Sequence, residues 1–369
     1  MTSTNPFNST ELRAVLGLAS LYCLRMLGLF MVLPLFAVYA QTLSGANETS
    51  IGFALGAYGL SQALLQVPLG WLSDQVGRKP VIFLGLVLLI AGSLVAASAD
   101  SVALLSLGRL LQGSGAIASA TMALAADYTR PEVRTKASAV MGASIGLSFA
   151  LALIIGPTLA ALGGLSRVFE VTACLGILGL VVVVVLLPTA PVLSEGGSAH
   201  LADRTRLGEA FHGSGLTTMY LSIFCLHLML MAAFTSIPLS LVKQAGLEPE
   251  HHSWVYLVSI CISLPGVAIL VRLRKGFGTD PRSLIIFTAT LTLAGLVIAL
   301  KAHAMLLLIF GLVVFFAGFT ALETILPAWV SIFAPQKLRG TAMGIFASAQ
   351  FLGIFAGGWL GGLALKIGG

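Results

Sequence analysis

Charged side chains are scarce in this sequence. Only 9% of its 369 residues are Asp, Glu, Lys or Arg, while 57% are hydrophobic and the mean hydropathy is +1.00. A soluble protein carries about 25% charged residues to wet its surface, so this composition excludes an ordinary soluble domain. About 210 apolar residues would supply roughly ten or eleven helical membrane crossings of about 20 residues each.

Cysteine is rare and strand-like alternation is missing. The four cysteines, Cys23, Cys174, Cys225 and Cys261, lie inside apolar runs without the spacing of metal ligands. We therefore interpret them as small buried hydrophobic residues and predict neither a metal site nor a cofactor. Apolar runs such as 81–97 do not alternate with polar residues, which excludes a transmembrane barrel.

Acidic residues are also few, 14 against 20 Lys and Arg, and the position of the basic residues indicates topology rather than nucleic-acid binding. With a cytoplasmic N-terminus, fourteen of the twenty, including Arg78 and Lys79, fall in or beside cytoplasmic loops. The positive-inside rule therefore favours this orientation. We predict a multi-pass membrane protein with a cytoplasmic N-terminus, an expected monomer whose surroundings are the lipid bilayer.

Polar and turn-rich breaks divide the chain into eleven predicted membrane-spanning helices. They are 13–40, 51–72, 80–98, 103–126, 136–163, 169–187, 215–243, 253–271, 282–300, 304–333 and 340–365. The segment 188–214, rich in Gly, Ser and charge, is interpreted as a cytoplasmic linker between an N-terminal bundle of six helices (1–187) and a C-terminal bundle (215–369) in which five are present. Two similar halves are a common plan for secondary transporters. On that plan the twelfth helix is missing, and we expect a truncated chain or an incomplete gene.

Ionisable residues inside predicted spans are rare, and each costs about 2.5 to 3.5 kcal/mol at the bilayer centre on insertion scales. Arg25 lies near the middle of the first span, and Glu323 is the only acid well inside any span. A lone acid facing a cavity can bind and release protons, because burial opposes its charged form while a nearby arginine favours it. A proton or substrate role competes at both positions with a purely structural, hydrogen-bonded one.

The fourth span carries a small and polar face. Arg109, Gln112, Ala116, Ser119, Ala123 and Asp127 follow one another at steps of three and four. A lipid-facing stripe would be Leu and Ile, so we predict that this face meets the central cavity or a closely packed helix. Asp127 is either a proton site or the partner of Arg130 or Arg134. His227 in the seventh span is a weaker proton-path candidate, because histidine titrates near neutral pH.

Glutamine and glycine residues complete the candidate sites. Gln62, Gln66 and Gln350 offer uncharged hydrogen bonds for a loosely held substrate, although bonding between helices explains them equally well. Close helix contact is predicted at Gly52, Gly56 and Gly59 in the second span, and at Gly344, Gly353, Gly357 and Gly361 in the last. Gly156 and Pro157 in the fifth span are predicted helix-packing residues as well.

The loop after the second span carries the most specific motif. It reads Gly70-Trp-Leu-Ser-Asp-Gln-Val-Gly-Arg-Lys-Pro80 and resembles the signature of the major facilitator superfamily through Gly70, Asp74, Gly77, Arg78 and Lys79. Arg109-Leu-Leu-Gln-Gly-Ser-Gly115 resembles the fourth-helix motif of that superfamily, which implies that Arg109 takes part in proton coupling. Gly156-Pro157 resembles the core of its antiporter motif, although the following Gly163-Gly164 pair comes late.

Within the superfamily, the chain resembles the YajR-type group of bacterial inner-membrane transporters. The residues that carry this likeness include 24–28, 31–34, 134–137, Glu323 with Pro327, and 340–344 with 350–353. The resemblance implies an all-α major facilitator fold with two pseudo-symmetric bundles, and similarity to drug:proton antiporters powered by the proton gradient. It leaves the substrate undefined.

Elementary electrostatics gives the loop motif a mechanical role. Asp74 lies where it can face the positive N-terminal end of the last helix, which begins near Gly340 and contains Gly344, and Arg78 and Arg134 are candidate partners. Such contacts would hold the cytoplasmic halves together when the cavity opens outward. We therefore predict a proton-coupled exporter of a small amphipathic or drug-like compound. A nutrient symporter is the main alternative, and a membrane enzyme or an inactive fragment is a remote one, since His251-His252 has no convincing third ligand.

Overall fold

The computed structural model describes residues 7–188, 215–243, 246–273, 281–335 and 338–368. Of the predicted linker 188–214, only Pro188 is among them. The described residues are almost entirely helical, and a single bridge between Ser44 and Ser101 is their one β-type pairing. The all-α architecture predicted from composition is therefore confirmed.

The α-helices of the described part are numbered in chain order. They are α1 (Ser9–Tyr39), α2 (Glu48–Val76), α3 (Arg78–Ala97), α4 (Val102–Ser114), α5 (Ala118–Tyr128), α6 (Arg134–Val181), α7 (Leu216–Lys243), α8 (His252–Leu273), α9 (Pro281–Lys301), α10 (Met305–Phe333) and α11 (Arg339–Gly368). A π-helical turn, Val182–Leu186, follows α6.

Asparagine caps fix the start of the first two helices. The Asn8 side chain accepts from the backbone N–H of Glu11 at 2.8 Å, and the Glu11 carboxylate accepts from the backbone N–H of Asn8 at 2.8 Å. Asn47 and Ser50 form the same reciprocal pair at the start of α2. These capping boxes satisfy backbone donors that a helix leaves free at its N-terminus.

The long helix α6 is two antiparallel helices joined at Gly163-Gly164, where the backbone leaves helical geometry and Gly164 has a φ of 63°. Ser148 bonds to Cys23 and Gly156 approaches Met31 before the break, whereas after it Thr172 bonds to Gly28. The contacted residues of α1 thus have increasing numbers along the first half of α6 and decreasing numbers along the second half. The two halves therefore run in opposite directions. This turn confirms the predicted division between spans 136–163 and 169–187.

Eight described segments are long and apolar enough to cross a membrane. The longest, Pro131–Leu186, contains both halves of α6 and so supplies two of the predicted spans. The predicted fourth span is represented by α4 and α5, which are separated at Gly115–Ile117. The described helices are consistent with fewer than twelve crossings.

Helix α11 packs against both halves of the protein, with α2 on one side and α7 on the other. Glycines permit this contact: a Cβ at Gly353 would collide with the carbonyl oxygen of Phe224, and one at Gly357 would collide with that of Leu228. On the α2 side, a Cβ at Gly56 would lie 2.6 Å from the Phe355 oxygen. The predicted role of these glycines in close packing agrees with this geometry.

The contact between α2 and α11 is not uniform along its length. We call the end of the bundle that contains Glu11, Arg78 and Arg130 the basic end. Towards that end, Ser348 Oγ lies 3.4 Å from the Ala63 oxygen, a Cβ on Gly344 would lie 4.0 Å from Val67, and one on Gly340 would meet no described atom within 4 Å. The two helices therefore touch at the opposite end and separate towards the basic end.

The cysteines differ from the prediction. All four are free, but Cys174, Cys225 and Cys261 are exposed on the helix surface and Cys23 is half-buried. The expectation of burial was wrong because the outer surface of a membrane protein is as apolar as its interior, so an apolar run does not indicate which face points inward. Exposed residues such as Leu162, Leu306 and Ile367 belong to that same surface.

Candidate functional site

Arg25 lies in a buried polar cluster inside the N-terminal half, with 4% of its surface exposed. Its Nη2 donates to Tyr58 Oη at 3.0 Å, to the Gly115 carbonyl at 3.1 Å and to Gln62 Oε1 at 3.2 Å. The carbonyl is available because the backbone is not helical at Gly115. Arg25 thus joins α1, α2 and the break between α4 and α5.

Arg109 forms a second buried centre beside the first, and 2% of its surface is exposed. Nη1 donates to Gln112 Oε1 at 2.9 Å, and the Gln112 amide donates in turn to Ser93 Oγ at 2.8 Å. The guanidinium carbon lies 5.1 Å from the Tyr58 ring centre and 5.9 Å from that of Phe36. Stacking on aromatic faces favours a cation where water is excluded.

The two arginines line one narrow cavity. It is a gap between side chains that is nowhere wide enough for a water molecule. Arg25 and Arg109 share it with the following side chains: Leu29, Tyr58, Leu89, Gln112 and Thr172. Tyr58 contacts both guanidinium groups, so it is the residue that joins the two centres.

Two sequence interpretations can be compared with the structure here. Gln62 and Gln66 are 0% and 3% exposed and lie 3.4 Å apart, amide nitrogen to amide oxygen. Gln62 also accepts from Arg25, which agrees with the alternative of bonding between helices. The predicted continuous face from Arg109 to Asp127 is interrupted, because the helical period stops at Gly115–Ile117. Gln112 stays with Arg109, while Asp127 joins a different cluster.

The C-terminal half contains one polar group of three side chains, contributed by three helices. His227 comes from α7, Glu323 from α10 and Gln350 from α11. Gln350 Nε2 lies 2.8 Å from His227 Nε2 and donates to Glu323 Oε1 at 3.2 Å. The His227 Nε2 and Glu323 Oε2 atoms are 3.8 Å apart. We call these residues the acid–amide–imidazole group.

The hydrogen bonds of this group fix the protonation of the imidazole. His227 Nδ1 lies 3.2 Å from the Ile223 carbonyl, which can only accept, so Nδ1 carries a proton. Nε2 is then free to accept from Gln350. Glu323 Oε2 is buried and makes no hydrogen bond among the described residues, and the Glu323 side chain is 38% exposed. The side chain is thus partly exposed, while its Oε2 is a buried acceptor that remains unused among the described residues.

At the basic end, the loop motif forms a charge cluster within the N-terminal half. Arg78, the first residue of α3, pairs with Asp74 near the end of α2, and its Nε lies 3.5 Å from Asp127 Oδ2. Arg78 Nη1 also donates to Ser73 Oγ at 2.9 Å. Of the two predicted partners of Asp74, Arg78 is therefore in contact. Arg134 instead donates from Nε to the Thr129 carbonyl at 3.2 Å.

The remaining motif residues shape the turn. Gly77 has a φ of 99°, which favours glycine between α2 and α3, and Lys79 donates to the Leu187 carbonyl at 3.0 Å. A Cβ on Gly70 would lie 3.0 Å from Ser119 Oγ. The predicted contact of Asp74 with the start of α11 is not made among the described residues, since the helices have separated there. Tyr128 Oη donates to the Pro188 carbonyl at 2.6 Å, and burial together with the charge of Asp127 raises the Tyr128 pKa to about 12.

The antiporter-like motif lies against α1. A Cβ on Gly156 would lie 2.7 Å from the Met31 carbonyl oxygen, so this glycine allows the first half of α6 to approach α1 closely. Pro157 follows within the same helix. Both residues lie seven or fewer positions before the Gly163-Gly164 break.

Sequence reasoning missed Tyr58 and the break at Gly115. Tyrosine is unremarkable in an apolar helix, and a single Gly-Ser-Gly stretch is compatible with an unbroken one. His251 Nδ1 lies 4.0 Å from Glu248 Oε2. Among the described residues, no three His, Cys, Asp or Glu side chains are grouped as metal ligands would be.

Comparison with known proteins adds a family and a fold. A family model described as Major Facilitator Superfamily matches residues 18–358. The chain is 38% identical over 359 residues to the inner membrane transport protein YajR of Escherichia coli strain K12, covering 95% of this chain and 77% of that protein. It is 30% identical over 160 residues to the class B tetracycline resistance protein of Escherichia coli, covering 42% of this chain and 38% of that protein. A bacterial homolog of the human lysosomal transporter Spinster, solved in an inward-facing and occupied conformation, matches with a TM-score of 0.79 at 14% identity, covering 97% of this chain and 82% of that chain.

Proposed function

This chain belongs to the major facilitator superfamily, and on that premise we propose that it is a proton-coupled antiporter that exports a small amphipathic compound by alternating access. Membership of the family makes it a multi-pass membrane transporter of small molecules. Beyond this, we propose that transport is coupled to protons, that its direction is export, and that the protein lies in the cytoplasmic membrane of a bacterium. We also propose a monomer, because each half already packs on the other through α11.

The observation that carries the proposal is the position of Gln350 between His227 and Glu323. Its amide donates to an imidazole nitrogen on one side and to a carboxylate on the other. A proton added to His227 Nε2 would turn that acceptor into a donor, so the bond from Gln350 could not persist. The protonated imidazole would then face the unused Oε2 of Glu323 at 3.8 Å. Binding of one proton would thus replace the bond between Gln350 and His227 with an ion pair between His227 and Glu323.

This exchange has a mechanical consequence because Gln350 lies on α11. That helix contacts α7 within the C-terminal half and α2 in the N-terminal half. A change in the hydrogen bonds of α11 to His227 and Glu323 can therefore alter its contact with α2, the interface that opens towards the basic end. Moving one charge through the membrane field supplies about 2.3 kcal/mol per 100 mV, enough to bias two access states strongly.

Orientation follows from the positive-inside rule, which supports a cytoplasmic basic end. On that orientation the separation of α2 and α11 near Gly344 and Gly340 corresponds to a cavity open to the cytoplasm. The Asp74, Arg78 and Asp127 cluster then lies on the open side. In the alternative state, the start of α11 would approach Asp74 and use its carboxylate as an N-terminal partner.

Export of an amphipathic compound is supported by two features. The buried side chains of the described residues are mostly apolar with few charges, and one relative is named for resistance to tetracycline. A nutrient symporter would share the fold and the acid–amide–imidazole group. Only the direction of proton flow relative to cargo distinguishes the two.

The test is a flux assay on the full chain in lipid vesicles that contain a pH-sensitive dye. Antibiotics of different charge, beginning with tetracycline, are first screened for transport that depends on the protein. Cargo entry should make the lumen alkaline in an antiporter and acidic in a symporter. Glu323→Gln should abolish the pH change, whereas Glu170→Gln, an exposed acid paired with Arg167, should leave it unaltered. Cargo flux that is indifferent to a collapsed proton gradient would refute the coupling.

A further inference from the structure

Two buried arginines in the N-terminal half have no acidic partner among the described residues. The ion pairs of the described residues use Glu11, Asp74, Asp127, Glu170, Glu248 and Glu323. None of these acids contacts Arg25 or Arg109. Both guanidinium groups are more than nine-tenths buried, so water does not replace the missing counter-charge.

Their hydrogen-bonding capacity is also incomplete. The Arg25 bonds all leave from Nη2, while Nε and Nη1 have no partner among the described residues. Those two nitrogens carry three of the five N–H donors of a guanidinium. Arg109 Nε is likewise unpartnered. Native interiors rarely leave such donors unused, and an unused donor of a buried cation is the costliest kind.

The two groups point to a common ligand because they share one cavity and one neighbour. Tyr58 accepts a hydrogen bond from Arg25 and stacks beneath Arg109. Leu29 and Leu89 form an apolar wall of the same cavity, and Gln112 and Thr172 add polar groups. Positive charge, spare N–H donors and an apolar wall are complementary to an organic anion with a compact apolar body.

We propose that Arg25 and Arg109 form the binding site for an organic anion, so that the cargo of this transporter carries a carboxylate or a similar acidic group. This proposal rests on the proposed transport function and specifies its substrate class. The acidic group would accept from Arg25 Nε or Nη1 and from Arg109 Nε. Since the cavity is now narrower than a water molecule, binding would push the side chains around Tyr58 apart.

Such a site also connects with the acid–amide–imidazole group. The Tyr58 ring lies 6.4 Å from the Phe351 ring, and Phe351 follows Gln350 on α11. A ligand that displaces Tyr58 would press on the residue next to the one that bridges His227 and Glu323. Anion and proton would thus act on the same segment of α11 from opposite sides.

The test measures thermal unfolding of the purified full chain with three probes of one shape: benzoate, benzamide and benzylamine, at equal ionic strength and without a pH gradient. Benzoate should raise the midpoint and the other two should not. Arg25→Gln should weaken benzoate binding about tenfold or more, the loss expected for one charge-assisted hydrogen bond. Arg167 is an exposed arginine at the end of the bundle opposite the basic end, and the Arg167→Gln chain should bind benzoate like the parent chain.

A second variant keeps the proposal testable if Arg25→Gln does not fold. Gln112→Glu places a carboxylate 2.9 Å from Arg109, so it should raise the unfolding midpoint and reduce the benzoate shift. Equal shifts from benzoate and benzamide, or a benzoate shift unchanged by both variants, would overturn the proposal. If the benzoate shift of the wild-type chain depends on Arg25 while its cargo flux ignores the proton gradient, the coupling fails and the anion site stands.

Discussion

The amide nitrogen of Gln350 lies 2.8 Å from Nε2 of His227, and the same nitrogen donates to Glu323 at 3.2 Å. A neutral side chain therefore links two titratable groups that lie on different helices. The acid and the imidazole are already within 4 Å of each other, so removal of the amide would let them pair directly. The link gives α11 its part in any response to protonation.

The first prediction separates the link from the titratable groups. Gln350→Leu keeps His227 and Glu323 but removes both donated hydrogen bonds. We expect proton-driven cargo flux to fall about tenfold, because protonation no longer changes the attachment of α11. Flux is measured in vesicles against the imposed pH difference. Gln41→Leu, an exposed position in the turn after α1, is the matched control, and equal flux in both variants would contradict the mechanism.

The second prediction concerns helix contact. Gly353→Ala places a methyl group against the Phe224 carbonyl and should destabilise the chain by about 1 to 3 kcal/mol, the usual effect of overpacking. Gly344→Ala, whose methyl group would lie 4.0 Å from Val67, should be neutral or slightly stabilising, since alanine favours a helix more than glycine does. The unfolding midpoint in detergent reports both. A smaller loss at Gly353 than at Gly344 would show that the tight contact does not form.

The sequence alone identified the rare ionisable residues inside the spans, but it did not predict which side chains they contact. Arg25, Arg109 and Glu323 stand out because ionisable residues are costly in lipid, and the Gly163-Gly164 turn was located to within a few residues. The grouping of His227, Glu323 and Gln350 could not be foreseen, because these residues come from three helices and only the three-dimensional packing brings them together. For Gln62 the sequence left two roles open for a related reason: an apolar helix does not reveal which of its sides is occupied by a buried arginine.

The third prediction addresses the charge cluster at the basic end. Arg78 is shared by Asp74 and Asp127, so Arg78→Gln removes the cation that both carboxylates contact. We expect transport to fall about tenfold and Arg78→Lys to recover part of it, since lysine keeps the charge but not the planar geometry. Initial flux rates are the measurement. Arg272→Gln, exposed at the end of α8, should transport normally, and an equal loss there would point to a general effect of surface charge.

The fourth prediction tests whether α2 and α11 move as alternating access requires. These helices are in contact near Phe53 and Phe355, whose ring centres are 5.8 Å apart, and separate towards Val67 and Gly344. In a chain whose four native cysteines are replaced, a Phe53→Cys and Phe355→Cys pair should cross-link readily in the present state. A Val67→Cys and Gly344→Cys pair should cross-link more slowly.

Imposing a proton gradient together with a transported cargo should reverse this order. When the basic end closes, Val67 and Gly344 approach each other and the opposite end opens, because two rigid halves cannot be in contact at both ends and still admit a substrate. Cross-linking yield at fixed reagent and time is measured by gel mobility. Equal yields for both pairs in all conditions would mean that the observed separation is static, and the α2 and α11 interface would then have no part in the transport cycle.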